Sequence, residues 1–570
     1  MIDCVRTLYV LSITLGLALA WLCGLQIFGR KVRHPPSPMS LPFFGNLFSI
    51  PPGLDHLAYL KLGQQLKTDI FYMNMMGQPV VVLNKAQAAT DLLEKRSAMY
   101  SDRIGSAMVD HPALLDWANF AGMLPYSDLW RRQRRRINNW LNPRAVRQFD
   151  NLQEDVVKQL LGRLLKVSQN PEPFEEIKKQ FFLWVVFPHR IVPYIKPVPV
   201  LSAMGSATFR LAYGYHLKDD KDPFFLNAVQ ASHRIFNATM PNNFLVNVFP
   251  ALAYIPDWLP GAGWKRTAKE WREHKNHTVT APYEWTKQEV ASGNFEPSVL
   301  SALLQDYDTD QDLSGMERDE ELKELAYILF VGGTDTSSTA LVNFVAAMVV
   351  NPEVQAKAQA EIDSILGYAS RLPTMADEVH MPYVRVLIQE VLRWHPVTPT
   401  GMMAGLCAQG SFKRLTYERI GGTPHACYQD DVYQGYDIQK GTMIVANTWA
   451  MSRDENVYKD PEAFDPERFL NQETPHVPAF GWGRRCDALV IKISKCPGMH
   501  FAEISLFVTI ASLLATFRFS RKKDRHGNEI IPRIEGAVNS LTVPIKPFDF
   551  ELQPRSEKHR QLILANIQAD

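Results

Sequence analysis

The sequence predicts a mainly α-helical chain with a small β region, carried behind one N-terminal membrane-spanning helix. Three observations predict it. Thr7 to Phe28 is uncharged and apolar for about 22 residues, enough to cross a bilayer. Ala326–Val350 and Met499–Leu514 are long apolar stretches with the length of buried helices. Alternation that suggests a hairpin is seen at Phe71–Leu83, with Gly77 and Gln78 placed in the turn.

The 570 residues are 46% hydrophobic and 21% charged, an ordinary globular mix with ample material for a core. A net charge of +1 gives no global attraction to nucleic acid or to acidic substrates. Six cysteines (Cys4, Cys23, Cys407, Cys427, Cys486 and Cys496) are scattered, with neither C-x-x-C nor zinc spacing. That pattern argues for a reducing compartment and against a disulfide framework.

Residues 1–30 read as the anchor. Ala18-Leu19-Ala20 has the form of a signal-peptide cleavage site, but apolar character continues through Trp21–Leu25, which favours a retained helix. Arg30, Lys31 and Arg33 follow the span and only Arg6 precedes it, so the N-terminus is expected in the lumen and the remainder in the cytosol. Residues 31–54, with Pro35-Pro36-Ser37-Pro38 and Leu41–Asn46, form a stiff hinge. Residues 55–570 read as one large globular domain. Within it Trp130–Arg136 is the densest basic run, and Trp130 and Arg134 lie four apart on one helix face. Phe244–Leu259 is an aromatic, proline-broken linker between helical patterns.

Gly332 and Gly333 interrupt the apolar segment before Thr334-Asp335-Thr336, and two glycines inside a helix are costly enough to need compensation. Glu390 and Arg393 put opposite charges on one helix face, an arrangement that is most often a weak surface pair. Pro466-Glu467-Arg468-Phe469 brings a second arginine. Last comes Phe480–Glu503. Its Cys496 is followed by Pro497, which suits a first helical position and would set the sulfur at a helix N-terminus, where a thiol pKa falls.

Phe480, Gly483, Arg485, Cys496 and Gly498 resemble the Phe-x-x-Gly-x-Arg-x-Cys-x-Gly signature of the cytochrome P-450 haem-thiolate monooxygenases. The resemblance spans roughly residues 35–550 through four ordered motifs. It implies heme b (iron protoporphyrin IX), with Cys496 as the iron ligand. A thiolate pushes electron density onto the iron and favours O–O cleavage. It further implies that Trp130, Arg134 and Arg485 hold propionates, that Asp335 and Thr336 deliver protons, and that Glu390, Arg393 and Arg468 hold the haem-side scaffold. Val397–Gly401 would face substrate, Phe244–Leu259 would lid its channel, and Arg132 and Arg135 would point elsewhere, towards an acidic redox partner. With no Walker loop and no dinucleotide motif in the chain, electrons must come from NADPH through a separate reductase. The implied reaction places one atom of O2 in an apolar small molecule, at the endoplasmic reticulum membrane, in secondary or xenobiotic metabolism of the kind fungal microsomal members carry out.

Three stretches depart from the pattern: Leu183–Ser202, Met402–Gly422 and Cys486–Lys495. The last puts roughly nine extra residues between Arg485 and the cysteine. It also offers Cys486 as a rival ligand, one without the following glycine and beside Asp487, which would raise a thiol pKa. The three read as translated introns or errors in the gene model; genuine surface loops are the alternative, since chain entropy tolerates insertion. If the third is real and rigid, the chain is a haem-free, inactive membrane protein. A peroxide-using or isomerising haem protein is disfavoured by the Asp335–Thr336 pair.

Overall fold

The computed structural model describes residues 32–42, 44–103, 105–181, 203–219, 221–239, 243–247, 249–306, 314–400, 425–482, 496–537 and 542–567. The expected anchor, the three departing stretches, Gly483 and Arg485 lie outside them.

Helices dominate. In chain order the longer ones are α1 (Asp55–Leu66), α2 (Asp128–Leu141), α3 (Asp150–Val167), α4 (Phe174–Phe181), α5 (Ala203–Tyr213), α6 (Pro223–Thr239) and α7 (Gly263–Ser292). They continue as α8 (Val299–Gln305), α9 (Gly315–Val350), α10 (Pro352–Leu366), α11 (Pro382–Trp394), α12 (Met499–Thr516) and α13 (Glu557–Ile567). Strands β1 (Ile70–Met75), β2 (Gln78–Leu83), β3 (Asp102–Arg103), β4 (His425–Ala426) and β7 (Met443–Ala446) make one sheet in the order β1-β2-β7-β4-β3. Two antiparallel strand pairs stand apart: the hairpin β5 (Asp431–Tyr433) with β6 (Tyr436–Ile438), and β8 (Phe517–Ser520) with the distant β9 (Glu551–Pro554).

The expected hairpin at 71–83 forms as β1–β2, antiparallel, with Met75 opposite Gln78. The turn is Met76–Gly77, one residue earlier than expected. Both have positive φ, 52° and 92°, the signature of a two-residue turn whose twist matches the strands. Val80, Val81, Val82 and Leu83 are all buried because β2 lies between β1 and the parallel β7.

Ser314 starts α9 with a capping box, its hydroxyl accepting from Glu317 N while Glu317 reaches back to Ser314 N. From there α9 runs through the core, packed against α5, α7, α11 and α12. α12 is buried along nearly its whole length, from Ile504 to Thr516. Among the described residues it is the one helix long and apolar enough to cross a membrane, and it is a core helix. It begins at Met499, as the sequence suggests, with Gly498 as cap and Pro497 in the preceding turn rather than at the first helical position. The chain closes with α13 on α3, where the bare Gly162 accommodates Ile567: a Cβ there would lie 2.5 Å from the Ile567 side chain. Arg555 fixes this end with paired bonds to Asp363 at 2.9 and 2.5 Å.

Candidate active site

The cysteine loop is closed at its stem. Cys496 N donates to Phe480 O at 3.1 Å, and Met499 N donates to Cys496 O at 3.1 Å, leading directly into α12. Phe480 itself packs against the main core. The sulfur's position is therefore fixed by residues on either side of the long loop. Fifteen residues separate Phe480 from Cys496 where about six would fit the signature; closing the longer loop costs on the order of 0.8 kcal/mol.

The Cys496 side chain is exposed, yet crowded closely enough that desolvation raises its thiol pKa. The charge of Arg134 and the Gly498 N–H act in the opposite direction without overcoming it. The expectation that a helix terminus would lower this pKa is thus not met by the polypeptide alone. The physical reason is that α12 starts three residues on and desolvation is the larger influence.

Ser127 caps α2, accepting from Trp130 N at 3.3 Å, and so sets which residues face inward. Trp130 is buried and the Arg134 guanidinium lies 5.9 Å from its ring centroid. The structure thus brings Trp130, Arg134 and Cys496 together. It adds a residue that sequence reasoning missed. Arg103, on β3, has Nε and Nη1 buried without a hydrogen-bond partner among the described residues. Desolvation and the like charge of Arg134 push its pKa down to about 10, and the neighbouring Asp102 charge opposes this without overcoming it. A buried guanidinium pressed against another guanidinium is costly unless an anion joins them. A haem bearing two carboxylates and an iron suits a site of two cations and a thiol. No spacing rule points to Arg103, whose relevance comes from the long-range pairing of β3 with β4.

Three more arginines of the basic run are spent within the molecule. Arg131 bonds Asp128 at 2.5 Å. Arg132 and Arg136 both bind Glu321 of α9, Arg136 at 2.7 Å. The expectation that Arg132 points to a partner is therefore corrected: Glu321 claims it. Arg135 is exposed.

On α9 the two glycines do different things. A Cβ on Gly332 would meet nothing within 4 Å, whereas one on Gly333 would lie 2.8 Å from Thr208 Cγ2. Gly332 leaves open space beside the helix; Gly333 lets α5 approach, with Thr208 and Thr334 hydroxyls 2.8 Å apart. The compensation that two costly helix glycines call for is thus different at each, space at Gly332 and close packing at Gly333. Thr336 Oγ1 donates back to Gly332 O at 2.8 Å, the local bond common for a mid-helix threonine. The Asp335 carboxyl accepts from Thr542 Oγ1 at 2.5 Å, and burial raises its pKa. Thr542 was not expected from sequence. Its neighbour Val543 donates to Val397 O at 3.0 Å, so the segment after α11 also reaches this region.

Behind the site, Glu390 and Arg393 are fully buried and joined at 2.6 and 2.8 Å. Arg393 also donates to the carbonyls of Ser452, Pro461 and Ala463. Arg468 and Asp465 N complete the Glu390 shell at 3.2 and 2.8 Å. This is a satisfied scaffold, not the surface pair an isolated E-x-x-R would make. On the opposite flank Glu324 of α9 accepts from Trp117 Nε1 at 2.5 Å and lies 3.8 Å from Lys275 of α7. Burial pushes its pKa up to about 7.

The model of the Cytochrome P450 family matches residues 35–404 and 416–552. Tryptamine 4-monooxygenase of Psilocybe cyanescens is 33% identical, covering 93% of this chain and 94% of that protein. Cytochrome P450 monooxygenase 98 of Postia placenta is 32% identical over 95% and 94%, and cytochrome P450 monooxygenase claR of Ampulloclitocybe clavipes 33% identical over 97% and 92%. A zebrafish cytochrome P450 solved with abiraterone shares the fold at a TM-score of 0.62 and 20% identity, covering 89% of this chain and all of that one. With the family model matched along nearly the whole chain and relatives above 30% identity end to end, the chain belongs to the cytochrome P450 family and is a P450-type monooxygenase.

Proposed function

We propose that the chain holds heme b with Cys496 as the iron's thiolate ligand and inserts one atom of O2 into an apolar small molecule. The observation that carries this reading is the charge arrangement: Arg103 and Arg134 face one another beside an exposed thiol. Propionates would be held by Arg103, Arg134 and Trp130, with Arg485 joining from the loop; Phe480, Gly483 and Gly498 would shape the turn around the sulfur. The chemistry the haem supplies when bound is reductive splitting of O2. Gly332 leaves room beside α9, and Asp335, whose burial favours its protonated form, holds a proton next to Thr336 in the chain. Thr336 must turn its hydroxyl from Gly332 O to pass one on.

The apolar substrate class is favoured by Ile328 and Val331 on the α9 turns before Gly332 and by Val397 and Val543 near Thr542. Electrons would come from NADPH through a separate reductase, with exposed Arg135 as a contact. Thr7–Phe28 would anchor the chain in the endoplasmic reticulum membrane, its domain cytosolic. Leu245, Phe249, Tyr254 and Trp258 of the lid are exposed apolar side chains suited to the same membrane. A role in secondary metabolism or detoxification fits the fungal relatives. We further infer that 183–202, 402–422 and 486–495 are not part of the working chain; for the second stretch this is supported by the family match, which passes over 405–415 but runs through the other two.

The reduced, carbon monoxide-bound spectrum of the chain as written tests the haem-thiolate reading. A red-shifted, thiolate-type Soret band that Cys496→Ser abolishes is expected. An imidazole-like band, or no haem, would overturn it in favour of an inactive membrane protein. Full-length transcript sequencing tests the second inference, and abundant messages carrying all three stretches would sink it.

A further inference from the structure

We propose that Thr542 is a positioning residue for proton delivery, its hydroxyl holding the Asp335 carboxyl against the C-terminal loop until the side chain is needed beside Thr336. The inference rests on the proton-delivery reading of Asp335 and Thr336. Three observations support it. The bond from Thr542 Oγ1 to Asp335 Oδ2 is 2.5 Å and joins residues 207 apart in sequence. Thr542 is 6% exposed, so water does not compete freely for its hydroxyl. The neighbouring Asp335 and Thr336 side chains face different partners, Thr542 and Gly332 O.

A hydroxyl that donates to a carboxylate favours the ionised form, opposing the burial that favours the protonated one. Among the described residues no charged group bears on this carboxyl, so Thr542 is the polar lever on its proton affinity. The same loop is tied through Val543 N–H to the Val397 carbonyl. Displacing Val397 or the C-terminal loop therefore moves the group that holds Asp335. A substrate that lodges there would couple its own arrival to release of the proton carrier. No charge is transferred by this step; the carboxyl changes its hydrogen-bond partner.

The test uses the haem-loaded full chain. Thr542→Val keeps the shape and removes the donor; Thr542→Ser restores it. The first readout is an infrared difference titration of the Asp335 carboxyl, its band assigned with Asp335→Asn. Thr542→Val should move the midpoint up by about one pH unit and shift the band, while Thr542→Ser stays near the parent. The second readout is the fraction of NADPH electrons recovered in product, expected to fall severalfold in Thr542→Val and recover in Thr542→Ser. An unmoved carboxyl titration in Thr542→Val, or a serine variant that behaves like the valine one, overturns the proposal. If Asp335→Asn leaves coupling intact, the proton-delivery reading itself fails; if Asp335→Asn uncouples and Thr542→Val does not, only the positioning role fails.

Discussion

Two buried charge clusters of the molecule, one around Glu390 and one around Cys496, are opposites. Around Glu390 every charge has a partner inside the protein: Arg393, Arg468 and four backbone groups close the shell. Around Cys496 positive charge accumulates, and Arg103 has buried nitrogens without a hydrogen bond. Both clusters hold arginines at low exposure, so burial alone does not tell a scaffold from a site. Satisfaction does. A polypeptide that leaves buried charge uncompensated is shaped for something that arrives from outside.

Substitutions at the two clusters should differ in sign as well as size. Arg393→Met leaves Glu390 with only Arg468 and Asp465 N, frees three backbone carbonyls in the core, and should cost about 3–5 kcal/mol in thermal denaturation. Arg103→Met should do the reverse in the haem-free chain, stabilising it by roughly 1–3 kcal/mol while weakening haem retention. Denaturant melts of apo and holo protein check both, and equal destabilisation by the two changes would break the comparison.

Glu324 lies between the extremes, a buried carboxylate with one indole donor and an ammonium 3.8 Å away. Its folded pKa, about 7, stands above its ordinary 4.5, so the native state binds the extra proton. Stability from this group is full below about pH 4.5 and is lost as pH rises through 7, by an amount on the order of 3 kcal/mol. Glu324→Gln should flatten that slope in Tm measured between pH 5 and 8. The smallest effect is expected at Arg135. Arg135→Glu should slow electron delivery from the reductase a fewfold, more at low salt than at high, while peroxide-supported turnover stays unchanged.

Legibility followed the range of the contacts. The hairpin, α12 and the Trp130–Arg134 pair are set by local periodicity, and sequence reached them to within a residue or two; α9 was reached at its C-terminal end, but its polar first three turns from Gly315 carried no apolar signal. The ordered Glu390, Arg393 and Arg468 were readable as a pattern, but their full burial came only from folding the 452–470 segment over α11. Arg103 and Thr542 carried no local signal. Each matters because a distant element delivers it, β3 through its pairing with β4 and Thr542 through a loop more than 200 residues from Asp335. The partner of Arg132 was hidden for the same reason, since Glu321 lies 189 positions away. The division of labour between Gly332 and Gly333 needed the position of Thr208.

The packing of α3 has a consequence for biosynthesis. Its buried face is covered by α12 and α13, which follow it by about 330 and 390 residues. At roughly 5–20 residues per second, that face waits on the order of 15–80 s on the ribosome before its partners exist. The part of the α3 face that α12 and α13 cover stays open through that interval, a natural holding site for a chaperone. Cys496 emerges just ahead of α12, so cofactor capture belongs to the last part of synthesis. Slower growth at lower temperature, with haem precursor supplied late, is the production regime this architecture asks for.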